Sequence, residues 1–262
     1  MTGDESLLEL AASLALEAGM AILAVRAAGF DVLHKEDRSV VTEADHRAEA
    51  IIAAGLRAAT PDIPVIAEEE VAAGCITAAA PRFWLVDPLD GTREFTAGNN
   101  DFAVNIGLVR DGRPVLGVVG IPASGELFGG IVGHGAWKRH GGTETPIAAR
   151  TPPPEGLTVL ASRFHGDTAR LDAFLAGRKV ARTTNFGSSV KFCRLAEGAA
   201  DLYPRFGRTM EWDTCAPQAV LEAAGGSVRT LAGKPLGYGK SGWENPHFVA
   251  AGAGEHDLPP GG

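Results

Sequence analysis

The sequence predicts an α+β N-terminal half, in which helices pack on an antiparallel sheet, followed by an α/β C-terminal half. Two helical segments precede a series of closely spaced apolar runs, whereas strands and helices alternate later in the chain. The proline-rich segment Thr151 to Gly156 separates the two patterns. We therefore divide the chain into residues 1–150 and 151–262. With 45% hydrophobic residues, it can bury a sizeable core as one large domain or two intimate halves.

Two helices are predicted at the start of the chain. Apolar residues recur near helical spacing at Leu7, Leu10, Leu14, Ala18, Ile22 and Val25. Acidic residues interrupt this segment where a signal peptide would need a basic start, so we expect a core helix rather than a membrane span. The second helix should begin after Thr42 and run to about Ala59, before Thr60-Pro61-Asp62.

Strands follow the second helix. Apolar runs at residues 64–67, 83–86, 102–109, 115–121 and 127–132 predict strands, and Arg110-Asp111-Gly112 predicts a hairpin between two of them. After the linker, strands at 157–161 and 180–184 alternate with helices at 167–175, 190–197 and 214–224. This alternation is typical of an α/β arrangement.

Composition limits the function. The chain has 24 basic and 32 acidic residues and a net charge of −8, and its basic residues are scattered, which disfavours binding to duplex nucleic acid. A small anionic substrate remains possible, because bound divalent cations can reverse the local charge. The three cysteines are far apart in sequence and form no CxxC pair, which fits a reducing cytoplasm.

The segment Asp87-Pro88-Leu89-Asp90-Gly91 follows the apolar run 83–86. Pro88 cannot donate a ladder hydrogen bond, so strand pairing should end near Asp87. Asp90 is then expected to be the N-cap of a helix, with Gly91 letting the backbone approach a ligand. A phosphate could bind to the N–H groups at such a helix start.

Carboxylates recur at the ends of predicted elements. Glu68 begins an acidic triplet after one strand, Asp87 and Asp90 follow the next, Asp213 opens a helix and Asp45 lies near a helix start. Oxygen-only clusters suit hard cations such as Mg²⁺. Each acid also has a plainer explanation as a solvated loop, a turn or a helix cap. Their combination favours a metal site.

These residues resemble the signature of the inositol monophosphatase superfamily of metal-dependent, lithium-sensitive phosphatases. The matching segments are Glu68-Glu69, Asp87 to Phe95 and Trp212-Asp213, with Lys35, Asp37 and Val41-Thr42-Glu43-Ala44-Asp45 upstream. The resemblance implies a layered αβαβα sandwich and a site holding two or three Mg²⁺ ions. The implied metal ligands are Glu68, Asp87, the carbonyl of Leu89, Asp90 and Asp213.

The same resemblance implies catalytic and substrate roles. Asp45, Thr92 and Glu68 would be catalytic, with Thr92 and Asp45 orienting the attacking water. The N–H groups of Gly91 and Thr92 would hold the reacting phosphate. The full implied set of substrate-binding residues is Glu68, Leu89, Asp90, Gly91, Thr92, Ser188, Lys191, Arg205 and Asp213.

Within the superfamily, the second half is similar to bacterial 3′(2′),5′-bisphosphate nucleotidases of the CysQ type. The carrying segments are Ala161-Ser162-Arg163-Phe164-His165, Gly187 to Cys193, Ala196 to Gly207 and Glu211 to Thr214. Lys191 and Arg205 could contact a second phosphate, and Tyr203 or Phe206 could border a base. The alternative is that both cations lie on solvated faces and both aromatic rings in the core.

The resemblance implies Mg²⁺-dependent removal of the 3′-phosphate from adenosine 3′,5′-bisphosphate, giving AMP, with a role in sulfur assimilation and nucleotide recycling. Cleavage of 3′-phosphoadenosine 5′-phosphosulfate stays open. Two alternatives are a plain inositol monophosphatase and a non-catalytic cation-binding protein. The expected partner is a small nucleotide bisphosphate, with no integral membrane segment. The sequence leaves open a homodimer and a peripheral position on the inner face of the cell membrane.

Overall fold

The computed structural model describes residues 3–34, 40–75, 78, 80–163 and 168–254. Among the positions used above, Lys35, Asp37, Phe164 and His165 lie outside the described residues, as does Asp167 at the start of a predicted helix. All of the expected metal ligands and substrate-binding residues lie inside them.

The helices are α1 (Asp4–Ala28), α2 (Glu43–Ala59), α3 (Glu68–Ala72), α4 (Thr92–Thr96), α5 (Thr168–Leu175), α6 (Val190–Ala196) and α7 (Cys215–Ala223), with a 3₁₀ turn at Glu211–Asp213. The strands are β1 (Leu33–His34), β2 (Val40–Val41), β3 (Val65–Ala67), β4 (Arg82–Asp90), β5 (Ala103–Arg110), β6 (Arg113–Ile121), β7 (Glu126–Ile131), β8 (Gly135–His140), β9 (Thr143–Ile147), β10 (Leu157–Ser162), β11 (Val180–Phe186), β12 (Leu202–Arg205), β13 (Ser227–Thr230) and β14 (Phe248–Ala251).

Two large sheets organise the chain. The first has the order β3-β4-β5-β6-β7-β8-β9. It is antiparallel except that the edge strand β3 runs parallel to β4, so the predicted antiparallel sheet is mixed. The second has the order β11-β10-β12-β14-β13, in which β10 is parallel to both of its neighbours and β14 is antiparallel to both of its own. A short β1-β2 pair completes the set of sheets in the described residues.

Helices form three layers around these sheets. Helices α1 and α2 pack together against the first sheet, and α7 lies on β5, β6 and β7 while also contacting α6 and β13 of the second half. Side chains alternate across the second sheet: Tyr203 and Phe248 face α6, whereas Leu202 and Val249 face α5. The layers are therefore α, β, α, β and α, which confirms the predicted fold class.

The hairpin between β5 and β6 has the predicted position. Its two-residue loop, Asp111-Gly112, has positive φ at both residues, 50° and 72°. This geometry matches the type I′ turn that joins twisted antiparallel strands without splaying them. The sequence signal was sufficient here because the turn depends on these two residues alone.

Helix α1 belongs to the core of the first half. Within the described ranges it is the one helix long and apolar enough to cross a membrane, judged by length and composition alone. Half of its most apolar window is buried, and Leu7, Ala11, Ile22 and Val25 are among its buried side chains. The contacts with α2 and β6 agree with the predicted core helix.

Glycines let α7 approach the first sheet closely. A Cβ atom on Gly117 would lie 2.2 Å from the carbonyl oxygen of Ala216, and one on Gly107 would lie 2.7 Å from its amide nitrogen. Neither distance is physically possible, so side chains at these positions would push α7 outward. Because α7 begins two residues after Asp213, this close packing also fixes where Asp213 lies.

An ionic cluster joins the first sheet to α6. Arg194 Nη2 donates to Glu126 Oε2 at 2.6 Å, and Lys138 pairs with Glu126 and with Glu197. Burial raises the pKa of Glu126, but hydrogen bonds from Arg194, Lys138 and Ser124 outweigh it and lower the pKa to about 2. The ionised carboxylate is therefore the form that stabilises the folded chain.

We expect this ionic cluster to contribute to the fall in the free energy of unfolding at acid pH. Since the folded pKa lies below the ordinary 4.5, the contribution of Glu126 is present above pH 4.5 and is lost as the pH falls toward 2. In denaturant unfolding at a series of pH values, Glu126→Gln should be less stable at neutral pH and lose less on acidification. Glu144→Gln is the control, because this half-exposed acid is paired with Arg139 at the surface, where an ion pair contributes little to stability. An unchanged slope in Glu126→Gln would contradict the assignment.

Candidate active site

A cavity of about 990 Å³ lies between the two halves of the chain. Its walls include Asp87, Asp90 and Thr92 from the first half and Ser188, Lys191 and Asp213 from the second. The structure therefore brings all of the expected metal ligands and substrate-binding residues to a single opening, whereas Asp45 and Phe206 do not line it.

Strand β4 delivers two of the acids. Its pairing with β5 shifts between Asp87, opposite Asn105, and Asp90, opposite Ala103. The prediction that pairing ends near Asp87 is thus wrong in part: the ladder is interrupted at Pro88, and the strand then continues to Asp90 as a bulge. Asp87 Oδ1 accepts a hydrogen bond from the N–H of Leu89 at 3.0 Å, which holds this carboxylate at the bend.

Asp90 is not the N-cap of α4. The N-cap is Gly91, with φ 91°, and no side chain caps the helix. Asp90 Oδ2 instead accepts from Ser188 Oγ at 2.8 Å and from the N–H of Ser189. A Cβ atom on Gly91 would lie 3.1 Å from the Cβ of Ser188, so glycine is needed both for the left-handed backbone and for this approach.

Three carboxylates converge beside Asp90. Glu68, Asp87 and Asp213 each offer an oxygen within 4.8 Å of the others. Burial, then repulsion from Glu68, Asp90 and Asp213, raises the pKa of Asp87 well above its usual range. Burial, then repulsion from Asp90 and Glu68, does the same to the pKa of Asp213. A cation among these oxygens would offset the repulsion, so the donor set fits a hard metal ion.

Asp213 closes a 3₁₀ turn rather than opening a helix. Its Oδ2 accepts from the N–H of Met210 at 2.9 Å, and α7 begins only at Cys215. The expectation that Asp213 opens the following helix is therefore wrong by two residues. The turn nevertheless places the carboxylate in the converging group.

Glu68 is positioned by an acid that the sequence did not identify. Glu68 is the first residue of α3, a helix where the sequence indicated only a loop. The buried Glu49 of α2 accepts from the N–H of Glu69 at 2.7 Å and of Glu70 at 2.9 Å. Burial raises the pKa of Glu49 to about 7. A charged residue on the buried face of a predicted helix was the available signal.

Thr92 and Asp45 form a second hydrogen-bonded unit. Thr92 Oγ1 lies 3.1 Å from Asp45 Oδ1 and 3.1 Å from the carbonyl oxygen of Leu89. Asp45 Oδ2 accepts from both the N–H and the hydroxyl of Thr42, at 2.8 Å each. Burial raises the pKa of Asp45 against the opposing effect of these hydrogen bonds. Asp45 is thereby a fixed acceptor for Thr92.

The two predicted phosphate-binding cations are buried in the cavity wall, so the alternative that both lie on solvated faces is wrong. Lys191 Nζ donates to the carbonyl oxygens of Phe186 at 3.2 Å and Ser188 at 2.5 Å, and burial lowers its pKa to about 7. Arg205 Nη2 donates to the carbonyl oxygen of Arg208 at 3.0 Å. Its Nε is buried without a hydrogen-bond partner among the described residues.

The two candidate aromatic residues have different surroundings. Tyr203 is buried, lies beside Lys191 and packs against the rings of Phe192 and Phe248, while contributing to the cavity wall. Phe206 packs against Phe174 instead. Tyr203 is thus the better placed of the two to contact a ligand.

The sequence of this chain matches a known protein family and a known nucleotidase. The model of the "Inositol monophosphatase family" matches residues 4–256. The 3′(2′),5′-bisphosphate nucleotidase CysQ of Escherichia coli K12 is 44% identical over 245 residues, which is 92% of this chain and 98% of that protein.

Solved structures agree with this sequence match. CysQ from Bacteroides thetaiotaomicron has a TM-score of 0.79 at 36% identity and covers 95% of this chain and 98% of its own. An inositol monophosphatase from Anabaena has a TM-score of 0.75 at 25% identity, with coverage of 96% and 92%.

Proposed function

The chain belongs to the inositol monophosphatase family, and from this premise we propose that it is a metal-dependent phosphatase acting on adenosine 3′,5′-bisphosphate. It removes the 3′-phosphate and leaves AMP and inorganic phosphate. The observation that carries the proposal is the 44% identity to a CysQ nucleotidase over nearly the whole length of both proteins. The similarity to the Anabaena inositol monophosphatase is lower, at 25%. The nucleotidases and the phosphatase that this chain resembles are enzymes, which disfavours the alternative of a non-catalytic cation-binding protein.

Mg²⁺ is the proposed cofactor, with two or three ions per site. The proposed ligands are the carboxylates of Glu68, Asp87, Asp90 and Asp213 and the carbonyl oxygen of Leu89. When bound, the metal supplies positive charge that screens the phosphoryl oxygens, promotes ionisation of water and stabilises the leaving alkoxide. An all-oxygen donor set matches the preference of Mg²⁺.

The residues of the chain then provide orientation. The Thr92 hydroxyl takes a proton from the attacking water as it gives its own proton to Asp45, which is held in place by Thr42. The N–H groups of Gly91 and Thr92 are proposed to hold the reacting phosphate. The left-handed Gly91 exposes its backbone to a ligand at the mouth of the bulge.

Lys191 and Arg205 are proposed to bind the second, non-reacting phosphate. The unpartnered Nε of Arg205 supports this role, because a buried donor without an acceptor is costly unless a ligand supplies one. Ser188 is also proposed to contact the substrate from the cavity wall, while its hydroxyl hydrogen is donated to Asp90. We also propose a cytoplasmic location, and propose residues 1–150 and 151–262 as the two halves that enclose the substrate.

The second-phosphate assignment predicts a selective loss in Arg205→Lys. Lysine retains the charge but not the planar fork that binds phosphate through two donors. We expect KM for adenosine 3′,5′-bisphosphate to rise about tenfold to a hundredfold, the equivalent of one charge-assisted hydrogen bond. Steady-state kinetics with 3′-AMP, which lacks the 5′-phosphate, supplies the control and should change little. Equal losses on both substrates would remove Arg205 from the second-phosphate site.

Product identity tests the proposed reaction. Phosphorus NMR during turnover of adenosine 3′,5′-bisphosphate with Mg²⁺ should show inorganic phosphate and 5′-AMP. Accumulation of 3′-AMP would mean that the opposite ester is cleaved and would refute the proposed orientation.

A further inference from the structure

We propose that Arg163 is a positioning residue for the metal site, because it holds the turn formed by residues 187–189 against Asp90. The inference rests on the proposed function to the extent that Asp90 is taken as a metal ligand. Arg163 acts through intermediate residues: it contacts two acids, these contact the turn, and the turn contacts Asp90. Its effect should therefore appear in metal binding rather than in chemistry at the phosphate.

Arg163 spans two acids of the first half from a position in the second. Its Nη1 donates to Glu94 Oε2 at 2.6 Å and its Nη2 to Asp101 Oδ2 at 2.7 Å. Arg163 follows the end of β10, whose last residue pairs in parallel with Phe186 at the end of β11. The arginine and the 187–189 turn thus leave neighbouring strands at the same edge of the second sheet.

Both acids contact the start of the turn. Asp101 Oδ2, the same oxygen that accepts from Arg163, also accepts from the N–H of Gly187 at 3.3 Å. A Cβ atom on Gly187 would lie 2.3 Å from Glu94 Oε1, so the backbone of Gly187 packs directly on this carboxylate. Arg163 neutralises two acids that would otherwise repel each other across Gly187.

The 187–189 turn fixes the side chain of Asp90. Ser188 has φ 54°, a conformation that residues other than glycine keep only when their surroundings impose it. In that conformation, Ser188 Oγ and the N–H of Ser189 both donate to Asp90 Oδ2. Asn105 Nδ2 donates to the same oxygen at 3.5 Å, so three donors on Oδ2 set the rotation of the carboxylate and leave Oδ1 outside this group of hydrogen bonds. Contacts of this kind commonly set the affinity of a metal site.

The charge of Glu94 makes the arrangement sensitive to Arg163. The Glu94 side chain is 2% exposed, and Asn99 Nδ2 also donates to its Oε2, at 2.6 Å. Removing the guanidinium would leave the buried Glu94 carboxylate next to Asp101 without a neutralising positive charge from residue 163. We expect the two acids to separate and the 187–189 turn to lose its fixed position.

The test compares Arg163→Met with Arg139→Met. Arg139 is a matched control, because it has similar exposure, 31% against 35%, and also joins two acids, Glu9 and Glu144, which unlike Glu94 do not line the cavity. Mg²⁺ affinity is measured by calorimetry on the substrate-free protein, together with kcat, KM and melting temperature. We expect Arg163→Met to weaken Mg²⁺ binding by about tenfold. Arg139→Met should lower the melting temperature alone.

Two further variants complete the test. Arg163→Lys, which retains one donor and the charge, should recover part of the Mg²⁺ affinity. Arg163→Met combined with Asp101→Asn should be no weaker than the worse single variant, because both act through the same turn. Unchanged Mg²⁺ affinity in Arg163→Met, or an equal loss in Arg139→Met, would overturn the inference. Since calorimetry needs no substrate, failure of wild type to hydrolyse the bisphosphate would refute the function and leave this test intact.

Discussion

Asp87→Asn is expected to abolish Mg²⁺-dependent phosphate release while raising the thermal stability of the metal-free protein. Asp87 is buried at the β4 bulge, and its pKa is raised by burial and by the charges of Glu68, Asp90 and Asp213. An acid with a raised folded pKa destabilises the fold once the pH rises above its ordinary value, so the charge is a cost at neutral pH. Asparagine removes that cost and can still accept from the N–H of Leu89.

The loss of activity should be large. Loss of a metal ligand would remove several kcal/mol of transition-state stabilisation, so we expect kcat/KM to fall by about 10³-fold or more. Thermal melts with and without Mg²⁺ check the other half of the prediction: wild type should gain stability from Mg²⁺ and the variant should not. A variant that is less stable than wild type without metal, or that keeps its Mg²⁺ response, would contradict the metal assignment.

Thr92→Val should separate metal binding from catalysis. Valine keeps the branched shape of threonine at the first residue of α4 but removes the hydroxyl that lies between Asp45 and Leu89. Asp45 keeps its two hydrogen bonds from Thr42, so the surrounding structure should hold. We expect kcat to fall by about 10²-fold to 10⁴-fold, the range for a lost proton-transfer group.

The same variant should bind Mg²⁺ almost normally. Thr92 contributes no carboxylate to the converging group of Glu68, Asp87 and Asp213. Calorimetric titration with Mg²⁺ and single-turnover phosphate release therefore make a matched pair of measurements. Near-normal turnover would exclude the hydroxyl of Thr92 from orienting the water, whereas lost Mg²⁺ binding would assign it a structural role at the metal.

The sequence located the three converging carboxylates because each lies at the end of a segment with a local signal. Buried apolar runs precede Glu68 and Asp87, and tryptophan precedes Asp213. The family resemblance, now confirmed, then placed these ends together. The order of the elements helped to locate the site, because strand ends at one edge of a sheet are neighbours in space.

Other parts depend on tertiary contacts and had no comparable local signal. Strand β9 is mostly exposed and polar, and β12, β13 and β14 have four residues each, so neither periodicity nor length marked them. Glu49 lies on the buried face of a predicted helix and Arg163 in a segment that resembles the family, but neither pattern names the partner of the charge. Their roles follow from partners 20 and 69 residues away, which a single sequence does not reveal.

The most direct measurement is the comparison of kcat/KM for adenosine 3′,5′-bisphosphate, inositol 1-phosphate and 5′-AMP, each with Mg²⁺ at matched concentrations. The proposed function predicts strong preference for the bisphosphate, because it alone of the three carries a 3′-phosphate for cleavage and a 5′-phosphate for Lys191 and Arg205. Preference for inositol 1-phosphate would keep the metal site but contradict the proposed substrate, and phosphate release from none of them would contradict the catalytic assignment itself.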